Sequence, residues 1–176
     1  MGTVPKMNGH VTDLTVSDLD PMDLRSTLGA FATGVTVITT VGDEGAPVGL
    51  AANSFTSVSL DPPLILWSLA LTAPSLGAFR TRDAFAVNIL CDRSKDLAVN
   101  FSRPSDDKFA GVAWEPGYGD APVLKDAAAV LECETVQRIP GGDHEIYLGQ
   151  VRRFRNAKKP PLLFHCGEFL QIGERV

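Results

Sequence analysis

The chain has 176 residues, 44% of them hydrophobic and 21% charged, a globular balance that excludes a disordered protein and suits a single domain. Sixteen Lys and Arg against 21 Asp and Glu leave a formal net charge of −5, which argues against nonspecific nucleic-acid binding and against attraction to a membrane surface. No apolar run approaches the roughly 20 residues of a membrane helix, the first residues hold no signal-like apolar block, and Cys91, Cys133 and Cys166 have neither disulfide-framework nor zinc-knuckle spacing, so a reducing cytoplasm is the expected compartment.

Residues 1–20 are polar and aperiodic and read as a flexible tail, leaving 21–176 as the folded domain. Asp20-Pro21 opens a helix as N-cap and first helical residue, and Leu24, Leu28 and Phe31 fall on one face of it. From Gly34 to Val41 the period changes to two, with Val35, Val37, Thr39 and Val41 on one face of a strand. A turn over Gly42–Pro47 leads to a second extended stretch, Val48–Ser59, closed by Asp61-Pro62-Pro63. Leu64–Leu69 reads as a strand, Pro74–Arg82 as a short helix, Ala84–Cys91 as a strand and Ser94–Phe101 as another short helix. Ala128–Ile139 and Glu145–Phe154 form a hairpin across Pro140–His144, and Leu162–Cys166 and Phe169–Ile172 finish the chain. Many strands, few and short helices and recurrent turns predict a mainly β barrel or sandwich with peripheral helices.

Several chemistries are missing from the sequence. It has no G-x-G-x-x-G, no G-x-x-x-x-G-K-[ST], no H-E-x-x-H, no C-x-x-C and no G-x-S-x-G. His10, His144 and His165 are the only histidines, so no metal site is expected. An enzyme built from these residues must borrow reactivity from an organic cofactor.

The most unusual segment is Ala51–Pro63. Extended, it would turn Asn53, Phe55, Ser57 and Ser59 one way and Ser54, Thr56 and Val58 the other, placing hydrogen-bonding groups on both faces. A core strand avoids that, so the segment is either an edge strand in water or a polar wall facing a ligand. Asn88 is similarly out of place in the apolar run 84–91; it either satisfies a neighbouring strand or touches a ligand. Ser75 follows Thr72-Ala-Pro74 in a first helical turn, as a cap or a phosphate contact.

Phe31-Ala-Thr-Gly-Val-Thr-Val-Ile-Thr39, Asn53-Ser-Phe-Thr-Ser-Val-Ser-Leu-Asp-Pro-Pro63, Phe85-Ala-Val-Asn-Ile-Leu90 and Gly142-Asp-His144 occur in an order and spacing that resembles the flavin reductase-like family. The resemblance runs from about Leu24 to Ile172. It implies an FMN-binding split barrel, an antiparallel Greek-key-like β-barrel with a few short peripheral helices, usually a homodimer. It implies hydride transfer from NADH or NADPH to FMN or FAD, and delivery of reduced flavin to a separate flavin-dependent oxygenase.

Carried over, the resemblance sets Ala52, Asn53, Ser54, Phe55 and Thr56 near the flavin ring and ribityl chain, with Ser57, Val58 and Ser59 continuing the wall. It sets Ser75 at the phosphate, Lys108 and Phe109 of Asp107-Lys-Phe109 against phosphate and cofactor, and Asn88 and Leu90 on a strand beside the site. His144 falls beside the nicotinamide or flavin ring, where it aligns the two rings rather than moving a proton. Phe164, His165 and Gly167 match a stretch near the nicotinamide, although many members carry Tyr where this chain has His165. The basic cluster Arg152, Arg153, Arg155, Lys158 and Lys159 reads as a solvated strand end, with the phosphates of NAD(P)H as its alternative partner. Two other activities compete: a tight flavin carrier without efficient NAD(P)H turnover, and a split-barrel oxidase acting on its own small substrate.

Overall fold

The structure, a computed structural model, describes residues 20–105 and 107–174, so the expected tail lies outside it except for Asp20. Asp20 caps the first helix through Oδ1, which accepts from the Met22 N–H at 2.7 Å, and α1 runs Pro21–Gly29. There follow β1 (Thr33–Gly34), β2 (Thr36–Val41), β3 (Pro47–Ala52), β4 (Thr56–Leu60), β5 (Pro63–Ala70), α2 (Leu76–Thr81), β6 (Ala84–Ile89) and α3 (Lys95–Ser102). The chain ends with β7 (Trp114–Pro116), β8 (Pro122–Leu124), the long hairpin β9 (Ala129–Gly141) and β10 (His144–Asn156), then β11 (Leu163–His165) and β12 (Glu168–Leu170). Among the described residues no helix is long and apolar enough to cross a membrane.

Seven strands form one antiparallel sheet in the order β3-β2-β6-β9-β10-β5-β4. Two strands separate β5 from β6, which would hold them about 14 Å apart in a flat sheet. Yet the rings of Trp67 on β5 and Phe85 on β6 lie 5.9 Å apart, so the sheet curls around its own side chains. Ile38, Ile65, Trp67, Leu69, Phe85, Val87, Cys133 and Tyr147 fill that concave interior, and Phe79 of α2 joins them. The edges β3 and β4 do not pair, and the barrel is split there.

The alternate residues of β2 and β6 face outward into a second core. Val35, Val37, Ala86 and Leu90 pack there with Phe101 of α3, Phe109 and Val123 and Leu124 of β8. Both strands are therefore covered on both faces, and every residue of β2 is buried. Its threonines survive burial because each hydroxyl donates to a backbone carbonyl: Thr36 to Ala52, Thr39 to Pro122, Thr40 to Ala84.

The expected stretch Val48–Ser59 is interrupted. Asn53–Phe55 leaves the sheet to carry the chain from one edge strand to the other. The helix α1 ends at Gly29, so Phe31 lies beyond the face expected to carry it with Leu24 and Leu28; no residue of α1 is buried, and Leu28 and Phe31 are 66% and 78% exposed.

Asn88 resolves toward the structural alternative. Its amide nitrogen donates to Val37 O and Thr39 Oγ1, both at 3.1 Å, and its carbonyl accepts from the Leu124 N–H at 2.8 Å. It is wholly buried and ties β2 and β6 to β8, with no group left for a ligand. Asn88→Ala should lower unfolding stability by about 2–4 kcal/mol, since it orphans several buried backbone groups. Denaturant melts would register that loss; a weakened cofactor affinity with an unchanged melt would return Asn88 to the site.

Candidate active site

The link Asn53–Phe55 spans the seam of the barrel, and Ser54 fixes it. Its Oγ accepts from the Ser68 N–H at 3.0 Å and donates to Ser68 O at 3.2 Å, so one hydroxyl takes the place of a strand neighbour on β5. That side chain is committed to positioning, and the groups left for a ligand are Asn53 and the backbone N–H groups of the link. Asn53, Thr56, Ser57 and Val58 are exposed, Ala52, Phe55 and Ser59 partly so. Phe55 packs under the link against the barrel interior, and Ser59 accepts from the Asp61 N–H.

A cleft of about 1060 Å³ opens along β3 where the link begins. Its floor is Pro47–Ala51, the edge strand itself. An edge strand leaves alternate backbone N–H and C=O groups unpaired, so the floor is a row of donors and acceptors. One bank is the start of α2, with Ala73, Pro74 and Ser75; the other is the segment after α3, with Arg103, Lys108 and Phe109. Gly49 lets the banks close in: a Cβ there would stand 2.8 Å from the Phe101 ring that seats α3 on β3.

Lys108 donates from Nζ to Phe101 O at 3.1 Å, and burial holds its ammonium below the ordinary lysine range. An anion beside it would restore the charged form that burial disfavours. Neither Lys108 nor Arg103 forms an ion pair among the described residues. The arginines of the 152–155 stretch differ: Arg152 meets Glu134, Arg155 meets Glu115 at 3.1 Å, and Arg153 lies 3.9 Å from Glu132. That stretch is matched surface charge, as its first reading has it.

His144 reaches the same region from the other side of β5. It pairs with Ala70, two residues beyond the Ser68 that holds Ser54, and the chain then turns through Leu71 into Ala73–Ser75. Link, histidine and α2 start therefore converge on the end of one strand. His144 Nδ1 lies 2.7 Å from Asp143 Oδ1, and this hydrogen bond holds the Asp143 carboxyl below the usual carboxylate range. With Nδ1 turned to the carboxylate, Nε2 is left for a ligand.

Phe164, His165 and Gly167 belong to the small sheet β1-β11-β12. Phe164 pairs with Thr33, just before the β2 residue Thr36 that faces Ala52, and its ring packs on Phe169 at 5.3 Å. Gly167 has φ +83° in the two-residue turn between β11 and β12, which accounts for its glycine.

Of the residues singled out in the sequence, Ser75, Lys108 and Phe109 line the cleft, Ala52–Ser59 continue from its floor, and His144 borders the same strand end. Leu90 does not join them; like Asn88 it is wholly buried, packed in the outer core. The β3 floor and Arg103 carried no signal in the sequence, because backbone along an edge and an arginine in a polar loop look ordinary there.

Residues 28–173 match the family model described as the flavin reductase like domain. The chain is 44% identical to a probable flavin reductase of Rhizobium meliloti over 82% of this chain and 46% of that protein, so it spans about half the length of that relative. It is 39% identical to the reductase subunit HsaB of a flavin-dependent monooxygenase from Mycobacterium tuberculosis, over 89% of this chain and 84% of that one. The solved NADH:FAD oxidoreductase SgcE6 of Streptomyces globisporus superposes with a TM-score of 0.88 at 35% identity, covering 98% of each chain. With a split, curled sheet and an open cleft at its seam, the chain belongs to the flavin reductase-like family.

Proposed function

We propose that this chain is an NAD(P)H:flavin reductase that works in the cytoplasm and hands reduced flavin to a separate oxygenase. The observation that carries the proposal is the cleft: an edge-strand floor of unpaired backbone groups, a pinned polar link at one end and cations without carboxylate partners on a bank. These are the contacts a flavin needs, with a polar ring edge, a ribityl chain and a phosphate. When bound, flavin supplies the redox chemistry, accepting hydride from a reduced nicotinamide. The link and the β3 edge hold the ring, Ser75 and Lys108 take the phosphate, and Phe109 shields it from water on the α3 side. His144, oriented by Asp143, positions the nicotinamide through Nε2. Ring alignment is the main requirement, and no side chain has to move a proton.

The exposure of the 53–58 segment favours exchange of flavin over the tight-carrier alternative, because a wall open to water lets the product leave. The names of the relatives, a monooxygenase reductase subunit and an NADH:FAD oxidoreductase, point the same way. Three free cysteines suit a reducing compartment.

The exposed apolar side of α1 supports a homodimer. Nine residues are too few for a stable helix in water without packing, and Leu28 on α1 and Phe31 just after it are largely exposed among the described residues. Light scattering should give twice the chain mass, and joint Leu28→Asp and Phe31→Asp substitution should give the monomer; a wild-type monomer would dismiss the pairing.

Mixing the protein with NADH or NADPH and with FMN or FAD should give nicotinamide oxidation that requires added flavin and saturates in it. Flavin binding without oxidation in any of the four combinations would move the protein to the carrier class.

A further inference from the structure

The helix α2 forms one bank of the cleft but does little to hold itself there. Leu76–Thr81 is six residues long, too short to persist in water without packing. Ser75 at its N-cap makes no side-chain capping bond, and Phe79 is its one buried residue. Contacts from outside the helix must therefore fix how it lies against the barrel, and with it the Ala73–Ser75 start that lines the cleft.

The hairpin β9–β10 supplies two such holds. Nη2 of Arg138 on β9 lies 2.9 Å from Asp83 Oδ1 and 3.2 Å from the carbonyl oxygen of Arg82, at the far end of the helix. Arg80, on the helix itself, forks onto Glu145 of β10: Nε lies 3.3 Å from both carboxylate oxygens and Nη2 lies 3.0 Å from Oε2. Glu145 is the fixed post of this pair, because its strand is paired on both sides, with Pro140 of β9 and Leu69 of β5 opposite it. Its side chain is only 15% exposed, against 49% for Arg80, and the Arg80 hydrogen bond holds its carboxyl below the usual carboxylate range despite that burial. A carboxylate so far from water needs its cation. Arg80 stands five residues from Ser75, about 7 Å along the chain of the helix, so a tilt at Arg80 reaches the cleft. Neither Arg80 nor Glu145 lines the cleft, and both act on it through the helix.

We propose that Glu145 is a positioning residue for flavin binding: through Arg80 it sets the α2 bank of the cleft, an inference that rests on the flavin site proposed above. Glu145 also follows His144 directly on β10, so action through that imidazole is the competing route, and the test separates the two.

Amide hydrogen exchange over residues 71–82, read without ligand, tests the hold on the helix. Titration of FMN and FAD by flavin fluorescence tests its consequence. In Glu145→Gln the segment should exchange about fivefold faster and both flavins should bind about fivefold more weakly, while KM for NADH at saturating flavin moves by less than about twofold. Arg80→Met should do the same, the double variant should be no worse than either single one, and Arg80→Lys should recover part of the loss. If Glu145→Gln does not fold, Arg80→Met and Arg80→Lys, on the half-exposed partner, carry the test. Faster exchange with unchanged flavin affinity would make the pair a purely structural one and overturn the positioning role. A raised KM for NADH with flavin affinity unchanged would also overturn it and assign Glu145 to His144. Losses that add in the double variant would overturn the pairing. Wild-type protein that binds neither flavin would instead remove the flavin site on which the inference stands.

Discussion

Consecutive strands that lie at opposite edges of one sheet impose the constraint from which this molecule's site follows. β3 and β4 are joined by three residues, yet the five other strands of the sheet lie between them in the hydrogen-bonding order. That is possible only if the sheet curls until its edges approach. The curl is driven by the buried ring cluster of Trp67, Phe79, Phe85 and Tyr147, in which Trp67 and Tyr147 stack at 4.7 Å and Trp67 meets Phe79 edge-on at 5.0 Å. Aromatic packing inside the barrel thus sets the width of the seam, and the seam sets where a short polar link must cross. Ser54 completes the closure by substituting a hydroxyl for the strand pairing the gap denies.

The same seam accounts for the chemistry available. An unpaired strand edge is a liability in water and a template for association. Here the start of α2 and the segment after α3 flank it, turning the β3 edge into the floor of a cleft. The ligand groups are consequently mostly backbone, held by a buried core rather than by side-chain reach. Such a floor would suit the polar rim of a planar cofactor and leave its faces open to a second planar reactant. In the proposed function the reactive power would come from the cofactor, and the fold would contribute position.

Much of this was legible in the sequence. The period-two run 34–41 gave β2, the apolar runs 64–69 and 84–91 gave β5 and β6, Pro140–His144 gave the long hairpin, and Asp20-Pro21 gave the start of α1. The hydroxyl-rich segment after Ala51 stood out because polar groups on both faces fit no core strand. What was hidden depended on three-dimensional partners. Nothing local reveals that the extended stretch 48–59 breaks at Asn53, since the cause is a hydroxyl bridge to Ser68 on another strand. Asn88 resembled a ligand contact because its buried partners Val37, Thr39 and Leu124 come from β2 and β8, distant in sequence. The apolar face expected of the first helix is not formed as expected: α1 ends at Gly29, before Phe31, and no residue in it is buried among the described residues.

The central claim is that the pinned link at the seam holds the flavin. Titration of FAD and FMN into wild-type protein and Ser54→Ala, followed by flavin fluorescence, tests it most directly. Loss of two hydrogen bonds that fix the link should weaken both flavins by about tenfold, while the thermal melt of the barrel changes little. Unchanged affinity for both flavins in a folded Ser54→Ala protein would contradict the account and place the cofactor away from the seam.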